Sequence, residues 1–187
     1  MSAARPRPFT ATDPDELEAK IRDRVLRLLT AQPRTRAELE RSLARAGAPA
    51  ELVARVLDRF SELKLVDDDA YAQAYVRTGV SVRRRGARSL SLELRGRGVS
   101  PEVIAAATAE IDSTTEYATA RELAARRLRG LARHDPAVQR RRLTGLLLRR
   151  GFSPGVVTQV VSEALAGSGE AEGNPVGEEL AALDDDW

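Results

Sequence analysis

A chain of 187 residues with 42% hydrophobic and 31% charged positions suits one or two small domains with a sizeable core, and matches neither a disordered chain nor a membrane protein. It contains no cysteine and a single histidine, His134, which excludes disulfides, thiol nucleophiles, iron–sulfur clusters and cysteine zinc sites and nearly excludes histidine metal sites. The net charge of +2 hides a polarity, because residues 77–150 hold 17 arginines against seven acids, whereas residues 166–187 hold seven acids and no base. Arginine supplies 28 of the 30 bases, a bias that a GC-rich genome produces by itself, so only the clustering carries information.

Along the chain, residues 1–14 mix Pro6, Pro8 and Pro14 with Arg5 and Arg7, without a hydrophobic period and without the apolar run of a signal peptide; they are expected to be disordered. No stretch approaches the roughly 18 apolar residues of a membrane span, so a cytoplasmic protein is expected. From Asp15 onward the apolar period is helical: Leu17, Ile21, Val25, Leu28 and Leu29 share one face. No segment alternates with period two, and Pro33, Pro49, Gly98, Pro101, Gly151 and Pro154 fall between the periodic segments. The expected fold is all-α, and the acidic residues 167–187 are expected to be a disordered tail.

The chain repeats itself at an offset near 50 residues. Around Gly47, Gly98 and Gly151, apolar residues stand at −8, −4, +5, +6 and +9: Leu39, Leu43, Leu52, Val53 and Val56 in the first unit, Leu90, Leu94, Val103, Ile104 and Ala107 in the second, Leu143, Leu147, Val156, Val157 and Val160 in the third. This pattern is a helix, a glycine in the left-handed conformation that ends it, a short turn and a second helix. Pro101 and Pro154 suit the first turn of the second helix, with Ser100 and Ser153 as its N-caps. A further amphipathic helix precedes each pair, over 15–31, 68–80 and 115–132. The expected domains are therefore three tandem three-helix repeats, 15–66, 67–113 and 114–166, each too small to bury much surface alone and so stacked into an elongated or curved array. Three helices with a tight turn are similar to helix-turn-helix modules, which makes a transcription factor reading duplex DNA the alternative function.

The segment from Leu65 to Gly98 is more specific. Leu65, Val66, Asp67 and Asp68 are followed by Tyr71 and Ala72, by Tyr75, Val76 and Arg77, by a basic stretch ending at Gly86, and by Leu90, Leu94 and Gly98. This order resembles the RecX family of bacterial recombinase regulators, and residues 146–157 are similar to the end of the family pattern. Lys64 stands where that pattern has glycine, so the third helix is expected to end differently. The resemblance spans about residues 24–166. It implies three three-helix repeats, no enzymatic activity and no cofactor. It also implies a monomer that binds the filament of the RecA recombinase on single-stranded DNA, with duplex DNA as a further target, and limits ATPase, strand exchange and filament growth.

Arg83, Arg84, Arg85 and Arg88 surround Gly86 just before a helix, and Arg140, Arg141 and Arg142 are expected to open the equivalent helix of the third unit. Phosphates are favoured at helix N-termini and arginine supplies paired donors, so these seven are the expected partner- or DNA-binding residues, against the alternative of a solvated face. Arg95, Arg97, Arg149 and Arg150 close helices, where a base complements the dipole. Asp67, Asp68 and Asp69 diverge in direction, which suits a helix cap and not a magnesium site. Tyr71 and Tyr75 share a helix face, as core or as base-stacking platforms. The motif residues Asp67, Asp68, Tyr71, Ala72, Tyr75, Gly86, Leu90, Leu94, Gly98 and Gly151 are expected to be mainly structural. His134 beside Asp135 has no serine or cysteine partner motif and reads as a loop residue.

Overall fold

The structure is a computed structural model that describes Phe9 and residues 13–170. Among these residues there are nine helices and no strand: α1 (Pro14–Ala31), α2 (Arg36–Ala44), α3 (Ala50–Glu62), α4 (Asp68–Ser81), α5 (Ala87–Arg97), α6 (Pro101–Ala109), α7 (Ser113–Arg129), α8 (Pro136–Arg149) and α9 (Pro154–Glu170). Local chemistry explains where they begin. Asp13, Thr35, Ser100, Asp112 and Asp135 each accept a backbone N–H from the first turn they precede, and proline opens α1, α6 and α8. Gly47, Gly98 and Gly151 end α2, α5 and α8 with φ of 78°, 88° and 85°.

Three local expectations are corrected. Lys64 takes φ 57°, the left-handed state a glycine would adopt, so α3 ends in the ordinary way at the expense of backbone strain. The Asp135 cap starts α8 at Pro136, which places Arg140, Arg141 and Arg142 in its second turn and not at its opening. Ser153 turns to α7 instead of capping α9; its N–H and hydroxyl both donate to Glu116, at 2.9 Å each. Ahead of α1, Phe9 packs on the first core beneath the Arg24 guanidinium. Helix α9 runs through Gly167 to Glu170, and the rest of the acidic tail lies outside the described residues.

The chain forms two compact units. The first holds α1–α3, α4 to Gly79, and residues 90–110 of α5 and α6; its core gathers Ile21, Val25, Leu39, Leu43, Val56, Leu57, Phe60 and Val66. In the same unit the second repeat is closed by small contacts, since a Cβ on Gly79 would come within 2.3 Å of the Leu90 side chain. The second unit holds residues 80–89 and α7–α9, around Ala120, Ala124, Leu131, Leu143, Leu147, Phe152, Val157 and Val160. Each buried leucine of these cores contributes about 1.5–3 kcal/mol by leaving water.

Candidate nucleic-acid interface

The arginine-bearing loop 82–86 belongs with the third repeat, and backbone chemistry seats it there. Gly86 N–H donates to the Arg150 carbonyl at 2.9 Å, Arg88 N–H to the Gly151 carbonyl at 3.2 Å, and the Arg150 guanidinium to the Arg83 carbonyl at 2.7 Å. The approach leaves no space for side chains: a Cβ on Gly86 would lie 2.3 Å from the Gly151 oxygen, and one on Gly151 2.3 Å from the Ser89 nitrogen. The first unit repeats the arrangement, where the Arg97 carbonyl accepts from Thr35 Oγ1 and Arg41 at 2.8 Å and a Cβ on Gly98 would meet Ala37. A helix-stop glycine thus packs on the start of the middle helix of the preceding repeat.

This seating brings arginines from three segments together. A groove of about 690 Å³ is lined by Arg126 and Arg127 of α7, by Arg141, Arg142, Arg149 and Arg150 of α8 and its cap, and by Leu123 and Leu146. An adjoining groove of about 530 Å³ shares Leu146, Arg149 and Arg150 and adds Val82, Arg83 and Arg85. Eight guanidinium groups therefore face one strip of surface, and no carboxylate is among the lining residues. Glu122, at its margin, pairs with Arg84 at 2.9 Å and with Arg126 at 3.8 Å. Such a concentration of one sign along a groove is the electrostatic footprint of a polyanion site.

Of the seven expected binding residues, Arg83, Arg85, Arg141 and Arg142 line the grooves. Arg84 turns to Glu122, and Arg88 and Arg140 are exposed outside both linings. Sequence reading did not single out Arg126 and Arg127 and assigned Arg149 and Arg150 to the helix dipole; the available signal was the excess of arginine over residues 77–150.

Several of the remaining candidates bond to neighbours within the fold. Tyr71 and Tyr75 stack at 6.0 Å and 16°, half-buried, with the Arg97 guanidinium 5.0 Å over the Tyr75 ring and the Tyr75 hydroxyl donating to Glu93 at 2.5 Å. Asp67 caps α4 by accepting from Ala70 N–H at 3.0 Å, which holds its carboxyl below the ordinary range. Asp68 accepts from Arg36 N–H at 2.9 Å, and burial pushes its carboxyl up despite that bond. His134 Nε2 lies 2.9 Å from an Arg142 donor. In a recess of about 730 Å³ between α7 and α9, Gln139 donates to the Leu131 and His134 carbonyls, and Glu163 accepts from Tyr117 and Gln159.

Three family models match the chain in order, the first, second and third three-helix domains of RecX, at residues 22–60, 67–107 and 114–161. The regulatory protein RecX of Thermobifida fusca is 42% identical over 166 residues, covering 89% of this chain and 88% of that protein. Its counterpart from Mycolicibacterium smegmatis is 41% identical, covering 86% and 87%. The crystal structure of RecX from Lactobacillus salivarius superposes with a TM-score of 0.75 over 80% of this chain and 97% of that one, at 21% identity, and that of another regulatory protein RecX with 0.72 over 78% and 73%, at 26%. With three domain models matched in sequence and relatives of this identity along most of its length, the chain belongs to the RecX family of regulatory proteins.

Proposed function

We infer that the protein is a non-enzymatic regulator that binds the RecA filament on single-stranded DNA and limits ATPase, strand exchange and filament growth. Family membership supports regulation of RecA, and the strip of eight arginines in the second unit supports contact with a polyanion such as the DNA of that filament. In this reading the strip engages phosphate and the helical repeats contact recombinase, biasing its subunits away from the hydrolysing state. The protein acts in the cytoplasm as a monomer; no helix among the described residues is long and apolar enough to cross a membrane. The absence of cysteine and the engagement of the one histidine with Arg142 support a role without catalysis.

The charge distribution disfavours duplex readout by a recognition helix. In helix-turn-helix proteins the last helix of the unit enters the major groove, yet α6 and α9 contain no lysine or arginine, and the two arginines of α3, Arg55 and Arg59, pair with Glu18 and Glu62. The arginines sit on the preceding helices and loop.

The test is the RecA ATPase rate on single-stranded DNA, titrated with the wild-type chain and with Arg127→Ala/Arg141→Ala/Arg149→Ala, three exposed groove arginines. The wild type is expected to inhibit below one copy per recombinase. The variant should bind more weakly, with a salt dependence shallower by about 0.7 in log–log slope for each phosphate it no longer neutralises. Arg88→Ala/Arg140→Ala, outside the grooves, should behave as wild type. Inhibition and slope unchanged in the groove variant would overturn the assignment.

A further inference from the structure

Arg84 stands between Arg83 and Arg85 in the loop that reaches the grooves, yet it lines neither of them. Its backbone lies in the left-handed region at φ 50°, a state that costs a residue with a side chain. Its guanidinium is engaged elsewhere: Nε and Nη2 donate as a fork to the two Glu122 oxygens at 3.0 and 2.9 Å, and Nη1 donates to the Ser81 carbonyl. The same carboxylate lies 3.8 Å from Nε of Arg126, one turn further along α7 and within the strip. The bond from Arg84 holds the Glu122 carboxyl below the ordinary range.

This contact is more than scaffolding for the loop. The chain is already anchored on either side of Arg84 through Arg150, whose side chain donates to the Arg83 carbonyl and whose own carbonyl accepts from Gly86 N–H. Seating of Arg83 and Arg85 therefore does not depend on Glu122. The pair is also open to water, with the Arg84 side chain 28% and that of Glu122 45% exposed, and an ion pair so placed contributes little net stability. A phosphate offers the guanidinium fork the same two-oxygen acceptor. Glu122 thus competes for Arg84 with any phosphate at this end of the strip, and adds repulsion of its own.

We propose that Glu122 is an internal counter-ion that withholds Arg84 from nucleic-acid phosphate and so sets how many phosphates the strip engages. With the carboxylate in place the strand is held by the groove arginines alone; once it is neutralised, Arg84 joins them. This rests on the reading that the grooves take phosphate.

The experiment measures the affinity of the full chain for a labelled oligothymidylate across a salt series, for wild type, Glu122→Gln, Arg84→Ala, Arg84→Ala/Glu122→Gln and the groove variant Arg127→Ala/Arg141→Ala/Arg149→Ala. Glu122→Gln should bind about fivefold more tightly at moderate salt, with a log–log slope steeper by about 0.7, the increment of one added phosphate on a single strand. That increment should disappear when Arg84 is also removed, so Arg84→Ala/Glu122→Gln should share the slope of Arg84→Ala. Weaker or unchanged binding by Glu122→Gln would overturn the proposal. So would tighter binding with the same slope, or with the same gain whether or not Arg84 is present, since Glu122 would then act by repulsion alone. The groove variant separates the two readings. If it leaves affinity and slope untouched, the assignment of phosphate to the grooves fails; if it weakens binding while Glu122→Gln does not strengthen it, that assignment stands and the role of Glu122 falls.

Discussion

Lys64 shows how a single residue departs from its family pattern without changing the fold. Its backbone takes the left-handed state at φ 57°, with Leu65 N–H still bonding the Phe60 carbonyl at 2.9 Å. A side chain there costs about 1–2 kcal/mol, partly offset by the lower entropy of the unfolded chain, so Lys64→Gly is expected to raise unfolding free energy by about 0.5–1 kcal/mol in denaturant titration. Thr35 is the opposite case. Fully buried, it caps α2 in a reciprocal pair with Glu38 and donates to the Arg97 carbonyl, so Thr35→Ala should cost about 2 kcal/mol. Asp67 and Asp68 are neighbours displaced in opposite directions. Asp67, lowered chiefly by the Ala70 N–H, adds stability above the ordinary aspartate pKa that is lost as pH falls through its lowered value. Asp68, raised chiefly by burial, favours the fold below the ordinary pKa and loses that contribution as pH rises through its raised value. Asp67→Asn should therefore be less stable than wild type at neutral pH and converge with it in acid. Asp68→Asn, which keeps an acceptor for Arg36 N–H, should gain on wild type as pH rises; a pH series of unfolding curves separates the two.

At the scale of elements, the three helix-stop glycines are alike in φ and unlike in surroundings. A Cβ on Gly47 meets nothing within 4 Å, whereas on Gly98 it would strike Ala37 and on Gly151 the backbone of Ser89. Gly47→Ala should cost only the conformational penalty, about 1 kcal/mol, and Gly151→Ala at least about 2 kcal/mol, because two backbones must part. Gly86→Ala meets the same obstruction from the other side and should also release Arg83 and Arg85 from the groove, lowering oligonucleotide affinity alongside stability. These glycines are visible in the sequence as helix stops. Their second role, admitting a neighbouring backbone, is invisible there, since it depends on which segment arrives against them.

Across the whole molecule, charge is arranged at the expense of folding stability. Arginines crowded on one strip repel each other, so Arg127→Ala/Arg141→Ala should raise the Tm slightly at low salt while weakening polyanion binding. Conversely, an oligonucleotide at 100 times its Kd should stabilise the wild type by about 2.7 kcal/mol. The sequence by itself determined the helical class, the three repeats, the glycine stops and the excess of arginine over residues 77–150, because each is written in local periodicity or composition. Only the tertiary structure decided which arginines share a groove. Position in the chain placed Arg84, Arg88 and Arg140 with the others and left Arg126 and Arg127 out. Packing reversed this, because the face a helical side chain presents depends on where the helix is capped and what covers its other side. Asp135 sets α8 so that Arg141 and Arg142 share a groove with Arg126 and Arg127 across the α7–α8 contact, and two glycines bring loop 82–86 to that groove through hydrogen bonds spanning more than 60 residues of chain.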